Sequence, residues 1–256
     1  CPPNIARLLS SIGSYAYTEN EDTLFVHLYM GSILTKKIKD QDVDVQIQSE
    51  FPWNGKVKIT VRAKETDFKL ALRVPGWCDS FTLQYDDQVI KGSVMEHKMR
   101  LDADLQRIQI KDGYLYISEF DREEEAFTLD FPMEPKWIVA NPAVREDAGK
   151  AALQRGPVVY CLEERDNGAD LHLLSVDPTK QPVSCPMKIQ KEEVIALKAQ
   201  GFRDISDPPE FENHSQSLYA EYHVADTESI ELVYIPYYTW ANRGENEMQV
   251  WTRLKG

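Results

Sequence analysis

The sequence predicts a mainly β protein, with a short N-terminal helix followed by two antiparallel β-sandwich domains. Three observations carry this expectation. From residue 21 onward, short runs alternate apolar and polar residues with period two, as a strand with one buried face requires. The runs end at turn residues such as Asn54-Gly55, Pro75-Gly76 and Asp86-Asp87. Few helical patterns separate them, which favours antiparallel sandwiches over the helix-covered sheets of α/β proteins.

The helix comes first. In residues 4–17, Ile5, Leu8, Leu9 and Ile12 fall at helical spacing, with Tyr15 and Ala16 extending the stripe. Pro2 and Pro3 suit a first turn, where a missing N–H costs nothing. One amphipathic helix cannot bury its own face. Its partners are expected to be the β region or, preferably, helices outside this chain.

The first strand set follows. Leu24–Met30 and Ile33–Ile38 flank Gly31-Ser32, and Val43, Val45 and Ile47 alternate with polar residues. Val57 to Ala63, Phe68 to Val74 and Phe81 to Tyr85 repeat the pattern, and Tyr114–Glu119 and Phe127–Phe131 complete the sandwich. A boundary is expected near Pro132–Pro135. Beyond it, Trp137–Ala140, Val158–Leu162, Leu171–Val176, Leu218–Val224, Ile230–Ile235 and Met248–Leu254 read as a second set. The proline-bearing stretch Gln181–Glu210 reads as an irregular excursion with a short helix at Glu192–Ala199. The expected domains are residues 1–20, 21–135 and 136–256.

Composition narrows the function. With 42% hydrophobic and 28% charged residues among 256, the chain has an ordinary globular mixture. No apolar run approaches the roughly 18–20 residues of a membrane span, so no membrane partner is expected. A net charge of −13, without a basic stripe, repels phosphate backbones and argues against nucleic acid. Neutral small molecules or sugars suit such a surface.

The generic catalytic signatures are missing: there is no G-x-S-x-G, H-E-x-x-H, Walker-type or G-x-G-x-x-G motif. His27, His97, His172, His214 and His223 are scattered, and His27, within Leu24–Tyr29, reads as a hydrogen-bonded, half-buried strand residue. Cys78, Cys161 and Cys185 read as small buried residues. Glu123-Glu124-Glu125 and Glu163-Glu164 read as solvated loop or strand-end charges. The run Tyr234-Ile235-Pro236-Tyr237-Tyr238-Thr239-Trp240 offers a sugar-stacking platform, although a sandwich core or inter-domain seam is the preferred reading. Asn213-His214-Ser215 matches a glycosylation acceptor.

The first residue stands apart. Cys1 precedes the Pro-Pro start of a helix, where the macrodipole and free N–H groups favour a thiolate. A thiolate serves as a zinc ligand or a nucleophile. A processed lipoprotein also begins with cysteine. Because Pro2-Pro3-Asn4 runs straight into the helical pattern, the chain instead reads as one that starts inside a folded element.

The stretch Cys1-Pro-Pro-Asn-Ile-Ala-Arg-Leu-Leu-Ser-Ser-Ile-Gly resembles a motif of glycoside hydrolase family 127, the β-L-arabinofuranosidases. The resemblance continues through Leu72-Arg-Val-Pro-Gly-Trp77, Ala140-Asn-Pro142, Gly149–Glu163 and Ile235–Gly244. It implies a catalytic (α/α)6 barrel followed by two β-sandwiches, of which this chain would hold the last barrel helix and both sandwiches. It also implies retaining cleavage of terminal arabinofuranosides, with a zinc-bound cysteine as nucleophile and a glutamate as acid/base. The family motif commonly carries two adjacent cysteines, the first nucleophilic and both zinc-ligating, and Cys1 matches the second. The resemblance therefore carries over Cys1 as a metal ligand and no catalytic residue.

The resulting expectation is the C-terminal part of a soluble bacterial hydrolase, cytoplasmic or periplasmic. It would act on an arabinose-containing glycan, need zinc only in the complete enzyme, and be inactive alone. The competing expectation is a non-catalytic carbohydrate-binding or scaffolding pair of sandwiches.

Overall fold

The computed structural model describes residues 1–39, 41–63, 68–95, 98–102, 106–206, 221 and 224–255. His97, His214, His223, the Asn213-His214-Ser215 motif and most of the Leu218–Val224 run lie outside the described residues. The chain divides into two compact units, Cys1–Met133 and Glu134–Gly256.

The first unit opens with helices α1 (Pro2–Ser11) and α2 (Gly13–Ala16), joined at Ile12. The single helix read over 4–17 is thus two pieces, and Tyr17 already begins a strand. Strands β1 (Tyr17–Glu19), β2 (Thr23–Val26), β3 (Ser32–Ile38), β4 (Gln41–Ser49), β5 (Lys56–Ala63) and β6 (Lys69–Arg73) follow. Then come β7 (Ser80–Tyr85), β8 (Gln88–Met95), β9 (Lys98–Leu101), β10 (Ile108–Lys111), β11 (Tyr114–Ile117) and β12 (Glu124–Asp130). They build a five-stranded sheet, β1-β2-β6-β11-β10, and a seven-stranded sheet, β3-β4-β5-β12-β7-β8-β9.

Alternation explains why the two sheets face each other. The burial of β5 alternates strictly over Lys56–Ile59, placing Val57 and Ile59 inward and Lys56 and Lys58 outward. Leu24, Leu70, Leu72 and Leu115 from one sheet share a core with Val45, Ile59, Phe81, Leu83 and Phe127 from the other. Pairing is antiparallel except that β2 runs parallel with β6. At Gly55 a Cβ would lie 1.8 Å from the carbonyl oxygen of Phe131, so only glycine lets the chain pass there.

The second unit contains β13 (Pro135–Ile138), β14 (Lys150–Arg155), β15 (Val158–Glu163), α3 (Glu164–Asn167), β16 (Leu174–Val176) and β17 (Val183–Ile189). It ends with β18 (Glu192–Asp204), β19 (Thr227–Pro236), β20 (Met248–Gln249) and β21 (Thr252–Leu254). The pairings β14-β21-β16-β18-β19-β15 return to β14, so the hydrogen-bonded path closes on itself. The closing hairpin, β14 to β15, turns at Gly156-Pro157, with Gly156 in the left-handed region at φ 56°. Tyr160, Leu162, Leu174, Leu197 and Tyr234 fill the core.

One element differs outright from expectation. Glu192–Ala199 is no helix in an irregular excursion but the first half of β18, which pairs with β17, β16 and β19. Glu, Ala, Leu and Lys are good helix formers, yet backbone pairing with these neighbours overrides that preference. Pro186 is tolerated because, among the described residues, β17 pairs only with β18, which leaves the proline on an edge strand.

Candidate functional site

Cys1 is the N-cap residue of α1, and its side chain makes no capping bond. Its carbonyl accepts hydrogen bonds from the backbone N–H groups of Asn4 and Ile5, at 3.0 and 3.3 Å, so the thiol stands at a helix N-terminus. It is exposed. Every residue of α1 is exposed, including Ile5 at 58%, Leu8 at 52% and Leu9 at 63%. The predicted apolar stripe is therefore present, and among the described residues nothing covers it.

Among the described residues, no three His, Cys, Asp or Glu side chains come together to hold a metal ion. Zinc sites take three or four protein ligands. No such set surrounds Cys1, so the described residues do not by themselves make up a zinc site. Cys78 and Cys161 are buried as expected, whereas Cys185 is half-buried on the edge strand β17. Burial and the nearby Glu163 push the Cys161 thiol up to about 12, which keeps it protonated and inert at neutral pH.

His27 follows β2 and is half-buried, as expected. Its Nε2 shares a 2.7 Å hydrogen bond with Thr18 Oγ1, and its Nδ1 a 2.8 Å bond with Tyr114 Oη. Burial, then the Arg73 cation, holds its pKa below the ordinary histidine value. Both ring nitrogens are engaged within the sheet, which is the geometry of a structural histidine.

Two glutamates read as solvated are in fact buried. Glu125 is 2% exposed; it accepts from Arg107 Nη2 at 2.8 Å and from the backbone N–H groups of Asp121 and Arg122. Glu163, fully buried at the end of β15, accepts from the Ala241 N–H at 2.9 Å and from Arg243 Nε at 3.2 Å and Nη2. Arg243 also donates to both oxygens of Asp166 on α3. These hydrogen bonds, Asp166 first, raise the Arg243 pKa, so the guanidinium stays charged. Sequence reading missed the pairs because their arginines lie 18 and 80 residues away. The signal available for the second was Arg243 itself, inside the motif-bearing stretch Ile235–Gly244.

Beside this network, Glu164, Arg165, Arg243, Glu245 and Asn246 line an open cavity of about 270 Å³. The aromatic run of the same segment divides. Tyr234 is buried in the core, whereas Tyr237, Tyr238 and Trp240 are 45%, 52% and 41% exposed. Tyr234 therefore belongs to the core, and the other three stand outside it.

Comparison with known proteins bears on what these features serve. Residues 23–133 match the family description "Beta-L-arabinofuranosidase, GH127 middle domain", and residues 135–253 match "Glycoside hydrolase family 127 C-terminal domain". The chain is similar to the non-reducing end beta-L-arabinofuranosidase of Bifidobacterium longum subsp. longum, 31% identical over 265 residues, covering 99% of this chain and 36% of that protein. It is also similar to the crystal structure of a GH127 beta-L-arabinofuranosidase from Geobacillus stearothermophilus T6. There the TM-score is 0.84 and the identity 36%, with 100% of this chain and 37% of that one covered. A GH127 beta-arabinofuranosidase superimposes with a TM-score of 0.80 at 25% identity, covering 100% of this chain and 38% of that one. The chain thus spans little more than a third of the length of these relatives.

Proposed function

Because this chain belongs to glycoside hydrolase family 127, as its middle and C-terminal domains, we propose that it serves a retaining β-L-arabinofuranosidase by supporting a helical catalytic barrel. The resemblance read from the Cys1–Gly13 and Gly149–Glu163 motifs points to the same family. In this reading α1 is one helix of that barrel, and residues 21–135 and 136–256 are its two supporting sandwiches. The substrate is a glycan bearing terminal arabinofuranose.

The observation that carries the reading is the uncovered stripe of α1. Ile5, Leu8 and Leu9 stand in water, and each is worth about 1.5–3 kcal/mol when enclosed. Packing among other helices recovers that energy and fixes Cys1 at a helix end. The macrodipole and free N–H groups there favour its thiolate. Cys1 then contributes one ligand to a zinc ion whose remaining ligands come from outside the described residues. His27 and Cys161 take no part: His27 is held by Thr18 and Tyr114, and burial keeps Cys161 protonated.

The test is hydrolysis of an aryl β-L-arabinofuranoside by the longer protein that carries this chain, with Leu8→Glu and Leu9→Glu introduced together. Turnover in the unaltered protein and its loss in the double variant are expected. Full turnover in the double variant would contradict a barrel role for α1.

A further inference from the structure

We propose that the outward face of the five-stranded sheet, built on Phe25, Tyr114, Tyr116 and Arg73, seats the helical part of the longer protein. The segment it takes brings apolar side chains and a carboxylate. The inference rests on the reading of α1 as a barrel helix, and it names where the first unit meets that barrel.

Strand register defines the face. Phe25 stands opposite Ala71, Ala71 opposite Tyr116, and Tyr116 opposite Gln109, one row across β2, β6, β11 and β10. In a second row Arg73 stands opposite Tyr114, and Tyr114 opposite Lys111. The residues between, among them Leu24, Leu72 and Leu115, point the other way, into the core. Phe25 meets Tyr114 and Tyr116 edge-on, with ring centroids 5.7 and 6.0 Å away, and stacks on His27 at 6.1 Å. Ala71 is wholly buried between them, whereas the three rings are only half-buried.

The chemistry of this face is that of a protein interface. Interface cores are enriched in aromatic rings and arginine and poor in acidic residues. The chain has a net charge of −13, yet the remaining strand positions here are Thr18, Thr23, Lys69, Gln109 and Lys111, none of them acidic. Lys69 is held by Asp22 at 2.7 Å. Arg73 and Lys111 are exposed and make no ion pair among the described residues. An arginine beside a cluster of rings suits a partner carboxylate, which its planar fork can meet with two bonds. Arg73 also belongs to the stretch Leu72–Trp77, one of those that carry the family resemblance.

Position selects the occupant. The Ala16 carbonyl, at the end of α2, accepts from the His27 N–H at 2.8 Å, so the two helices end at the edge of this face. At about 1.5 Å per helical residue, Cys1 lies within about 25 Å of it. This chain covers 36% of the Bifidobacterium longum relative, so a protein of that length has ample further chain to bring here. Helices packed along α1 then meet the sheet and the uncovered stripe as one continuous surface. A second copy is a poorer occupant, because a twofold contact through this face sets Arg73 and Lys111 against their own kind.

The experiment is hydroxyl-radical footprinting, read by mass spectrometry, on the 256-residue chain and on the longer protein carrying it. Phe25, Tyr114 and Tyr116 are expected to be labelled in the chain and to lose most of that labelling in the longer protein. Arg73→Ala is expected to lower the melting temperature of the longer protein by about 2–4 °C and to leave that of the chain unchanged. Loss of labelling on α1 without loss on the three rings would overturn the proposal and leave the barrel reading standing. Unchanged labelling on α1 and on the rings alike would overturn both. Rings already protected in the chain alone would overturn the proposal too, and protection that grows with concentration would assign the face to a second copy instead. So would Arg73→Ala lowering both melting temperatures alike count against it.

Discussion

Glu163 and Arg243, 80 residues apart in sequence, form an ion pair in which the Glu163 side chain is wholly buried and the Arg243 side chain is 12% exposed. The pair fastens the segment after β19 to the end of β15. Asn167 extends the clamp, accepting from the Val233 N–H at 2.8 Å and donating to the Glu163 and Val233 carbonyls, each at 2.9 Å.

Breaking this pair on one side should be costly. Arg243→Ala leaves Glu163 charged and buried without its partner, a loss of about 3–5 kcal/mol. Chemical denaturation of the single variant and of Glu163→Gln with Arg243→Ala checks this. The double variant should recover part of the loss; equal midpoints for wild type and Arg243→Ala would show the pair to be inert.

Thiol reactivity should separate the cysteines. Alkylation of the native chain near neutral pH, read by mass spectrometry, is expected to modify exposed Cys1 first and to spare Cys78 and Cys161. The Cys161 thiol, at about 12, has almost no thiolate to offer. Modification of Cys161 at the rate of Cys1 would refute its assigned burial.

The stability of the first unit should depend on His27. Its pKa is lowered on folding, so the unfolded chain binds more protons as the pH falls through the ordinary histidine value of about 6.5. The His27 contribution is therefore present above that value and is lost on acidification below it. Melting temperatures between pH 7.5 and 5.5 should fall less steeply in His27→Gln than in wild type; identical slopes would remove His27 from the account.

The alternating strands were the legible part of the fold. β4 and β5 carry their inward residues as Val43, Val45, Ile47, Val57, Ile59 and Val61, a pattern that hydrophobicity alone reveals. β8 was missed because one of its core positions is Gly92, which lies under the Phe81 ring and has no apolar side chain to register. β18 was misread because its composition favours helix while its neighbours demand a strand. The burial of Glu125 and Glu163 depends on arginines that fold toward them, which no local pattern contains. Cys1 was legible as a helix-terminal thiol, and the exposure of its helix followed from an apolar stripe without a partner.

Alone in solution, the chain should associate through α1. Leu8→Glu with Leu9→Glu is expected to shift it toward monomer in sedimentation velocity, because the pair puts two charges in the middle of the exposed stripe. A wild-type chain that is strictly monomeric at high concentration would mean that the stripe is covered in some other way.

The most direct measurement is zinc content together with turnover of an aryl β-L-arabinofuranoside, made on the 256-residue chain and on the longer protein carrying it, each with and without Cys1→Ala. Expected are no turnover and no tightly held zinc in the chain alone. The longer protein should hold zinc and turn over substrate, and Cys1→Ala should lower both by about 10²-fold or more. Turnover by the chain alone, or a longer protein indifferent to Cys1→Ala, would contradict the assignment of these sandwiches and of Cys1.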